Sequence, residues 1–184
     1  MVEHYFNVGL VIGRFQPLHK GHERMIETAL DYCNKVVVVI GSAQASGTKE
    51  NPLTWADRYT IILRRFSREC NDQRLFIVPV NDREVYSDDS SFGEYIYKQI
   101  TDALGKEFTP DCIIEGKEGK HDNWWKSVSL NGHIEVDRNG LSVSGTELRN
   151  AIGNSVKDYI DRYQSTESQE YNFKIWEIMN RCNR

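Results

Sequence analysis

The sequence predicts an α/β fold built on a parallel sheet with helices on both faces, and three features carry that expectation. Val36 to Ile40 is an unbroken β-branched run apart from its ends in the surrounding polar sequence, the pattern of a central strand covered on both sides. An apolar stretch over residues 7–12, a helical pattern over 20–33 and that run follow one another as strand, helix and strand. This is a βαβ unit with a right-handed crossover. Ligands of such sheets bind beyond the carboxyl ends of the strands, and at that edge the chain reads Gly13-Arg14-Phe15-Gln16-Pro17-Leu18-His19-Lys20-Gly21-His22.

The 184 residues, 39% of them hydrophobic, suffice for a single domain with a proper core, expected as a core over residues 1–153 and a C-terminal helical segment over 154–184. With 27 acidic and 23 basic residues the formal charge is −4, which argues against a partner recognised through a nucleic-acid backbone. No apolar run approaches the roughly 20 residues of a membrane span. The N-terminus lacks a basic segment followed by an apolar one, so no signal peptide is expected, no membrane partner, and a cytoplasmic setting. Cys33, Cys70, Cys112 and Cys182 are widely spaced and include no CxxC pair, so reduced thiols in or beside the core are expected, and no metal site made of protein ligands.

The elements follow in order. Met25, Ile26, Ala29, Leu30 and Cys33 mark one face of the first helix. After Ile40 comes a loop of small and polar residues, Gly41 to Leu53, with Asn51-Pro52 as a turn and Thr54 as the N-cap of a helix over Trp55 to Arg68. Its expected buried stripe is Trp55, Tyr59, Ile62, Leu63 and Phe66. Arg74 to Val80 reads as the third strand, Ser91 to Leu104 as a helix, Asp111 to Glu115 as the fourth strand and Gly132 to Val136 as a short fifth. Ser144 and Glu147 form a capping box at the head of a further helix, and from Asn150 the pattern is mostly helical. Trp124 and Trp125 read as packing residues.

Two segments carry chemistry. At the first strand-to-helix turn, unpaired N–H groups and a partial positive charge suit a phosphate, Gly21 admits a close approach, and His19, His22 and Arg14 supply donors. At the later helix start, Ser144 and Thr146 offer hydroxyls, with the cation Arg149 one turn on. The first segment resembles the HxGH signature of the nucleotidyltransferase superfamily, and the lead Gly-Arg-Phe-Gln-Pro resembles archaeal-type nicotinamide-nucleotide adenylyltransferases, whose domain also occurs fused to a Nudix hydrolase. Val143-Ser144-Gly145-Thr146-Glu147-Leu148-Arg149 is similar to the superfamily's ISxTxxR segment. Gly41-Ser42-Ala43-Gln44 with Asn51-Pro52-Leu53-Thr54 and Asp57-Arg58 is similar to its GSAQ…NPFT…ER segment, although Glu50 stands where relatives often carry a base and Lys49 lies one earlier. No Nudix box occurs.

The resemblance implies a Rossmann-like parallel sheet of the HxGH nucleotidyltransferase fold with C-terminal helices. It implies adenylyl transfer from ATP to nicotinamide mononucleotide, giving NAD and pyrophosphate, with Mg²⁺ carried on the ATP phosphates. His19, His22, Arg14 and Arg149 would serve the transfer, with His22 nearest the α-phosphate. Gly13, Phe15, Gly21, Gly116, Ser144 and Thr146 would bind ATP, as would Lys117 or Lys120, both candidates for one position. Ser42, Asn51, Thr54, Arg58, Asp82 and Phe92 would bind the mononucleotide: Asp82 the amide, Phe92 the ring face. Asp88 and Asp89 are either solvated loop acids or substrate contacts. Relatives form symmetric assemblies, and the C-terminal helix here could serve or block a homo-oligomer, an alternative the sequence leaves open. Two rival readings stand beside this one: transfer to another phosphate acceptor, and a nucleotide sensor without turnover.

Overall fold

The computed structural model of the chain describes residues 4–83, 90–117, 123–137, 145–150 and 172–182. Five strands, β1 (Phe6–Gly13), β2 (Cys33–Ile40), β3 (Leu75–Pro79), β4 (Cys112–Gly116) and β5 (Gly132–Val136), form one sheet in the order β3-β2-β1-β4-β5. Every pairing is parallel. The helices are α1 (Lys20–Tyr32), α2 (Trp55–Arg65), α3 (Ser67–Asn71), α4 (Phe92–Leu104), α5 (Gly145–Asn150) and α6 (Asn172–Cys182).

The alternation of a strand's side chains explains the layers. Val36, Val38 and Ile40 of β2 join Met25, Ile26 and Ala29 of α1, with Ile61 and Ile62 of α2, on one face. Ile175 and Met179 of α6 belong to the same cluster. Val37 and Val39 point to the other face and meet Ile96 and Ile100 of α4. All five β2 residues from Val36 to Ile40 are fully buried, and burying a side chain of this kind is worth about 1.5–3 kcal/mol. That two-sided burial is why the run carries no polar residue.

The first helix ends one residue before the expected limit. Cys33 opens β2 while remaining in the core cluster, so α1 passes into the strand without a loop. The orphan carbonyls at this end have no capping glycine. Arg74, from the residue before β3, donates instead to the carbonyls of Leu30 (2.6 Å), Cys33 (3.0 Å) and Asn34 (3.3 Å).

The helix expected over Trp55 to Arg68 is two pieces, broken at Phe66. Its buried stripe is also rotated from the expected one. Arg58, Ile61, Ile62 and Phe66 are buried, whereas Trp55 is 45% exposed and Leu63 37%. The apolar residues alone pointed to the wrong face, because the first buried position of the turn is held by a cation. Thr54 caps α2 as expected, with Asp57 returning the bond to complete a capping box.

The strand order runs outward from β1 to β2 and β3 on one side and to β4 and β5 on the other. The chain therefore switches direction between β1 and β4, and the crevice beyond their carboxyl ends is the place such a sheet offers a ligand. Among the described residues no helix is long and apolar enough to cross a membrane.

Candidate active site

The turn after β1 is held in one shape from several sides. Phe15 takes a positive φ of 49° and is 1% exposed. Such a conformation costs a non-glycine residue of order 1–3 kcal/mol and persists only where surroundings enforce it. Here the ring packs over Gly13, where an added Cβ would come within 3.2 Å of it. It also meets the His22 ring at 4.7 Å. Gln16, 2% exposed, donates from Nε2 to the Leu53 carbonyl and accepts from the Leu53 N–H, both at 2.9 Å. One amide thus fastens the turn to the loop before α2.

His19 caps α1. Its Nδ1 accepts from the His22 N–H at 3.4 Å, an assignment that leaves the ring proton on Nε2. The two imidazoles stack with centroids 3.8 Å apart and planes 21° from parallel. Gly21 is buried in the first turn of α1 behind them.

Arg149 of α5 reaches the same turn. Its Nη1 donates to the Gln16 carbonyl and its Nη2 to Thr146 Oγ1, each at 3.1 Å. Burial lowers its pKa, nearby Arg14 lowers it further, and Glu50 opposes both. The result is a cavity of about 160 Å³ lined by Arg14, Phe15, Gln16, His19, His22, Gly145, Thr146 and Arg149. Four of these carry cationic or imidazole donors and none is a carboxylate, which suits the non-bridging oxygens of a phosphate chain.

A second cavity, of about 320 Å³, adjoins the first. Arg14 lines both, together here with Ile12, Gly13, Gly41, Ser42, Asp82, Phe92 and Trp124. The Asp82 carboxylate accepts from the Ser42 N–H (3.1 Å), the Ser42 hydroxyl (3.0 Å) and Gln44 Nε2 (2.9 Å). It therefore shapes the loop after β2, where Ser42 has a φ of 49°. Phe92 opens α4 and meets Trp124 at 4.2 Å, the planes 49° apart, so two aromatic rings form one wall. Trp124, which sequence reasoning assigned to packing, lines this cavity.

Two residues expected to meet ligands have partners within the protein. Arg58 is fully buried, and its guanidinium donates to the carbonyls of Arg14 (2.8 Å), Gly41 (2.8 Å), Ser42 (3.0 Å) and Thr54 (3.2 Å). Burial pulls its pKa down to about 10, opposed by nearby Asp82. It stays charged at neutral pH and ties together the ends of β1 and β2 and the start of α2. Lys117 pairs with Asp137 at 2.9 Å beyond β4 and β5 and lines neither cavity.

The remaining candidates are placed as follows. Gly116 closes β4 and is buried. Asn51 sits in the loop braced by the Thr48 hydroxyl, and its buried Oδ1 has no partner among the described residues. The Thr54 hydroxyl is engaged by the capping box. Neither Asn51 nor Thr54 lines the two cavities. Ser144, Lys120, Asp88 and Asp89 lie outside the described residues.

Residues 10–162 match the model of the cytidylyltransferase-like family. The chain belongs to that family. Among curated members, the nicotinamide-nucleotide adenylyltransferase of Pyrococcus horikoshii is 40% identical over 74 residues, 40% of this chain and 40% of the relative. The enzyme of the same name from Aeropyrum pernix is 49% identical over 75 residues, 40% of this chain and 43% of its own length. The matched segments thus span under half of these curated relatives. Among solved structures, a bifunctional NMN adenylyltransferase/ADP ribose pyrophosphatase from Francisella tularensis, complexed with AMP and a manganese ion, superposes with a TM-score of 0.67 at 21% identity, covering 94% of this chain and 51% of that one. The Plasmodium falciparum nicotinic acid mononucleotide adenylyltransferase gives 0.54 at 15% identity over 95% and 97% of the two chains. At these identities the likeness is one of fold: the Rossmann-like parallel sheet of a cytidylyltransferase-like protein.

Proposed function

We propose that this chain, acting as one nucleotidyltransferase unit, transfers the adenylyl group of ATP to the 5′-phosphate of nicotinamide mononucleotide, releasing pyrophosphate and forming NAD. The observation that carries the reading is that Arg14 lines both cavities. One has donors for a triphosphate, and the other has a carboxylate and an aromatic wall for a pyridine amide. The shared arginine marks where two phosphates meet. The names of the curated relatives support the choice of acceptor.

A phosphate monoester is largely an anion at neutral pH, so the attacking oxygen of the mononucleotide needs no general base. The protein's contribution is alignment and stabilisation of charge growing on the non-reacting oxygens. On this reading His19, through Nε2, and His22 donate to the ATP phosphates, with His22 nearest the α-phosphorus. Arg149 and Thr146 hold the β- and γ-phosphates with Ser144, and Arg14 steadies the incoming phosphate. Gly13, Phe15 and Gly21 shape the turn that admits the chain of phosphates, and Gly116 leaves room for the adenosine. Ser42, Asp82 and Phe92 receive the nicotinamide riboside half, with Trp124 beside Phe92. The cationic lining fits phosphate oxygens and offers no cage of carboxylates for Mg²⁺. The ion would enter on the ATP phosphates, keeping waters of its own.

Pyrophosphate release from ATP and Mg²⁺ tests the reading, with nicotinamide mononucleotide, its acid form and flavin mononucleotide offered separately. Release with the nicotinamide form is expected. Release only with another acceptor would keep the cradle and discard the pyridine pocket. ATP binding without release would favour a sensor.

A further inference from the structure

Glu115 is a buried carboxylate that the proposed chemistry does not use. It sits on β4, 4% exposed, one residue before the strand's carboxyl end. Its Oε1 accepts from the Trp125 indole N–H at 2.9 Å. Its Oε2 lies 3.3 Å from His133 Nε2 on β5, a ring that reaches toward solvent. An apolar residue would fill a buried strand position at lower cost, because replacing a buried charge by a hydrophobe of similar size is often neutral or stabilising. The carboxylate therefore has a task that burial alone does not explain.

Trp125 leads from Glu115 to the second cavity. It packs in the core beside Phe92 and Ile96, 5% exposed. The carbonyl of adjoining Trp124 accepts from the Gly93 N–H at 2.8 Å, at the head of α4. This approach is so close that a Cβ at residue 93 would lie 2.5 Å from that carbonyl and 3.2 Å from the Trp125 ring. Phe92 and Trp124 then present an aromatic wall of the cavity that Asp82 also lines. A shift of the Trp125 indole would reach both rings through the adjoining Trp124 and its bond to Gly93.

We infer that Glu115 is a positioning residue for the pyridine pocket: by holding the Trp125 indole it sets the Trp124–Gly93 contact and so the placement of the Phe92–Trp124 wall. The inference rests on the functional reading above for the identity of the ligand, but not for the geometry.

The test compares the wild-type chain with Glu115→Leu, Glu115→Gln and Trp125→Phe. Glu115→Leu should raise the KM for nicotinamide mononucleotide about tenfold, with kcat and the KM for ATP changed by no more than about twofold. Glu115→Gln keeps an acceptor for the indole and should restore most of the loss. Trp125→Phe removes the same bond from the other side, should show the same split, and decides the matter if Glu115→Leu does not fold. Hydrogen exchange at the Gly93 amide should quicken in Glu115→Leu and Trp125→Phe and stay near wild type in Glu115→Gln. Equal rises in both KM values, no rise, or a glutamine variant as impaired as the leucine one would overturn the inference. If the wild-type chain turns over no mononucleotide, the functional reading fails separately. Gly93 exchange then decides the positioning role, and exchange unchanged in both Glu115→Leu and Trp125→Phe would overturn it.

Discussion

Arg149 donates from Nη1 to the backbone carbonyl of Gln16 at 3.1 Å, although 133 residues separate them in the chain. The bond joins the two segments that carry the phosphate-binding side chains, and it orients a planar fork whose other arm reaches Thr146. A lysine could keep the charge but not both directions. Arg149→Lys is therefore expected to lower kcat by about 10²–10³-fold, the cost of losing one oriented donor to developing charge. Thermal melting should fall by only about 2–4 °C, corresponding to about one hydrogen bond in a chain of this size. Steady-state kinetics beside a melting curve checks both.

Gln16 makes a different kind of link. Both bonds to Leu53 are buried, so Gln16→Ala leaves a backbone N–H and a carbonyl unpaired, at about 1–3 kcal/mol each. The melting temperature should fall by at least about 5 °C. Gln16→Glu sets a buried carboxylate oxygen against the Leu53 carbonyl and should fall at least as far. Equal melting of wild type and Gln16→Ala would show that the turn and the loop do not depend on this amide.

Arg58 separates a structural from a ligand-binding role. Its buried guanidinium serves four carbonyls. An ammonium group has three donors of different geometry, so Arg58→Lys should destabilise by about 3–5 kcal/mol. Any rise in its KM for mononucleotide should come together with this loss of stability, since carbonyls that Arg58 holds belong to Arg14, Gly41 and Ser42 of the second cavity. A large rise in KM with unchanged melting would restore Arg58 to direct ligand contact.

Alkaline stability follows from the half-buried Cys70 thiol, whose pKa burial raises to about 11, with Glu69 adding to the rise. The unfolded chain ionises this thiol first, so at intermediate pH the folded state holds the extra proton. The stabilisation is fully present below the ordinary thiol value and is lost as pH rises toward about 11. Melting temperature should decline over that window, and Cys70→Ala should flatten part of the decline. A variant whose pH profile matches wild type would remove Cys70 from this role.

The sheet was legible because its signals are periodic. A β-branched run such as Val36 to Ile40 has few alternatives to a two-sided buried strand, and the turn from Gly13 to His22 carries its chemistry in consecutive residues. What stayed illegible are side chains that work through distant backbone. Arg58 and Gln16 bond to carbonyls and amides 4 to 44 residues away, which leaves no spacing to read. The face of α2 was misread because Trp55 and Leu63 were counted by hydrophobicity, while the buried position at the head of the helix belongs to Arg58. Trp124 was read as packing because a paired tryptophan looks the same in a core and in a pocket wall.

The most direct measurement of the central claim is NAD formation from ATP, Mg²⁺ and nicotinamide mononucleotide by the wild-type chain beside His22→Ala. The account predicts equimolar NAD and pyrophosphate from the wild type. It predicts a kcat lower by about 10²–10³-fold in the variant, with the fold intact. Near-normal turnover by His22→Ala, or no NAD from a folded wild-type chain that binds both substrates, would contradict it.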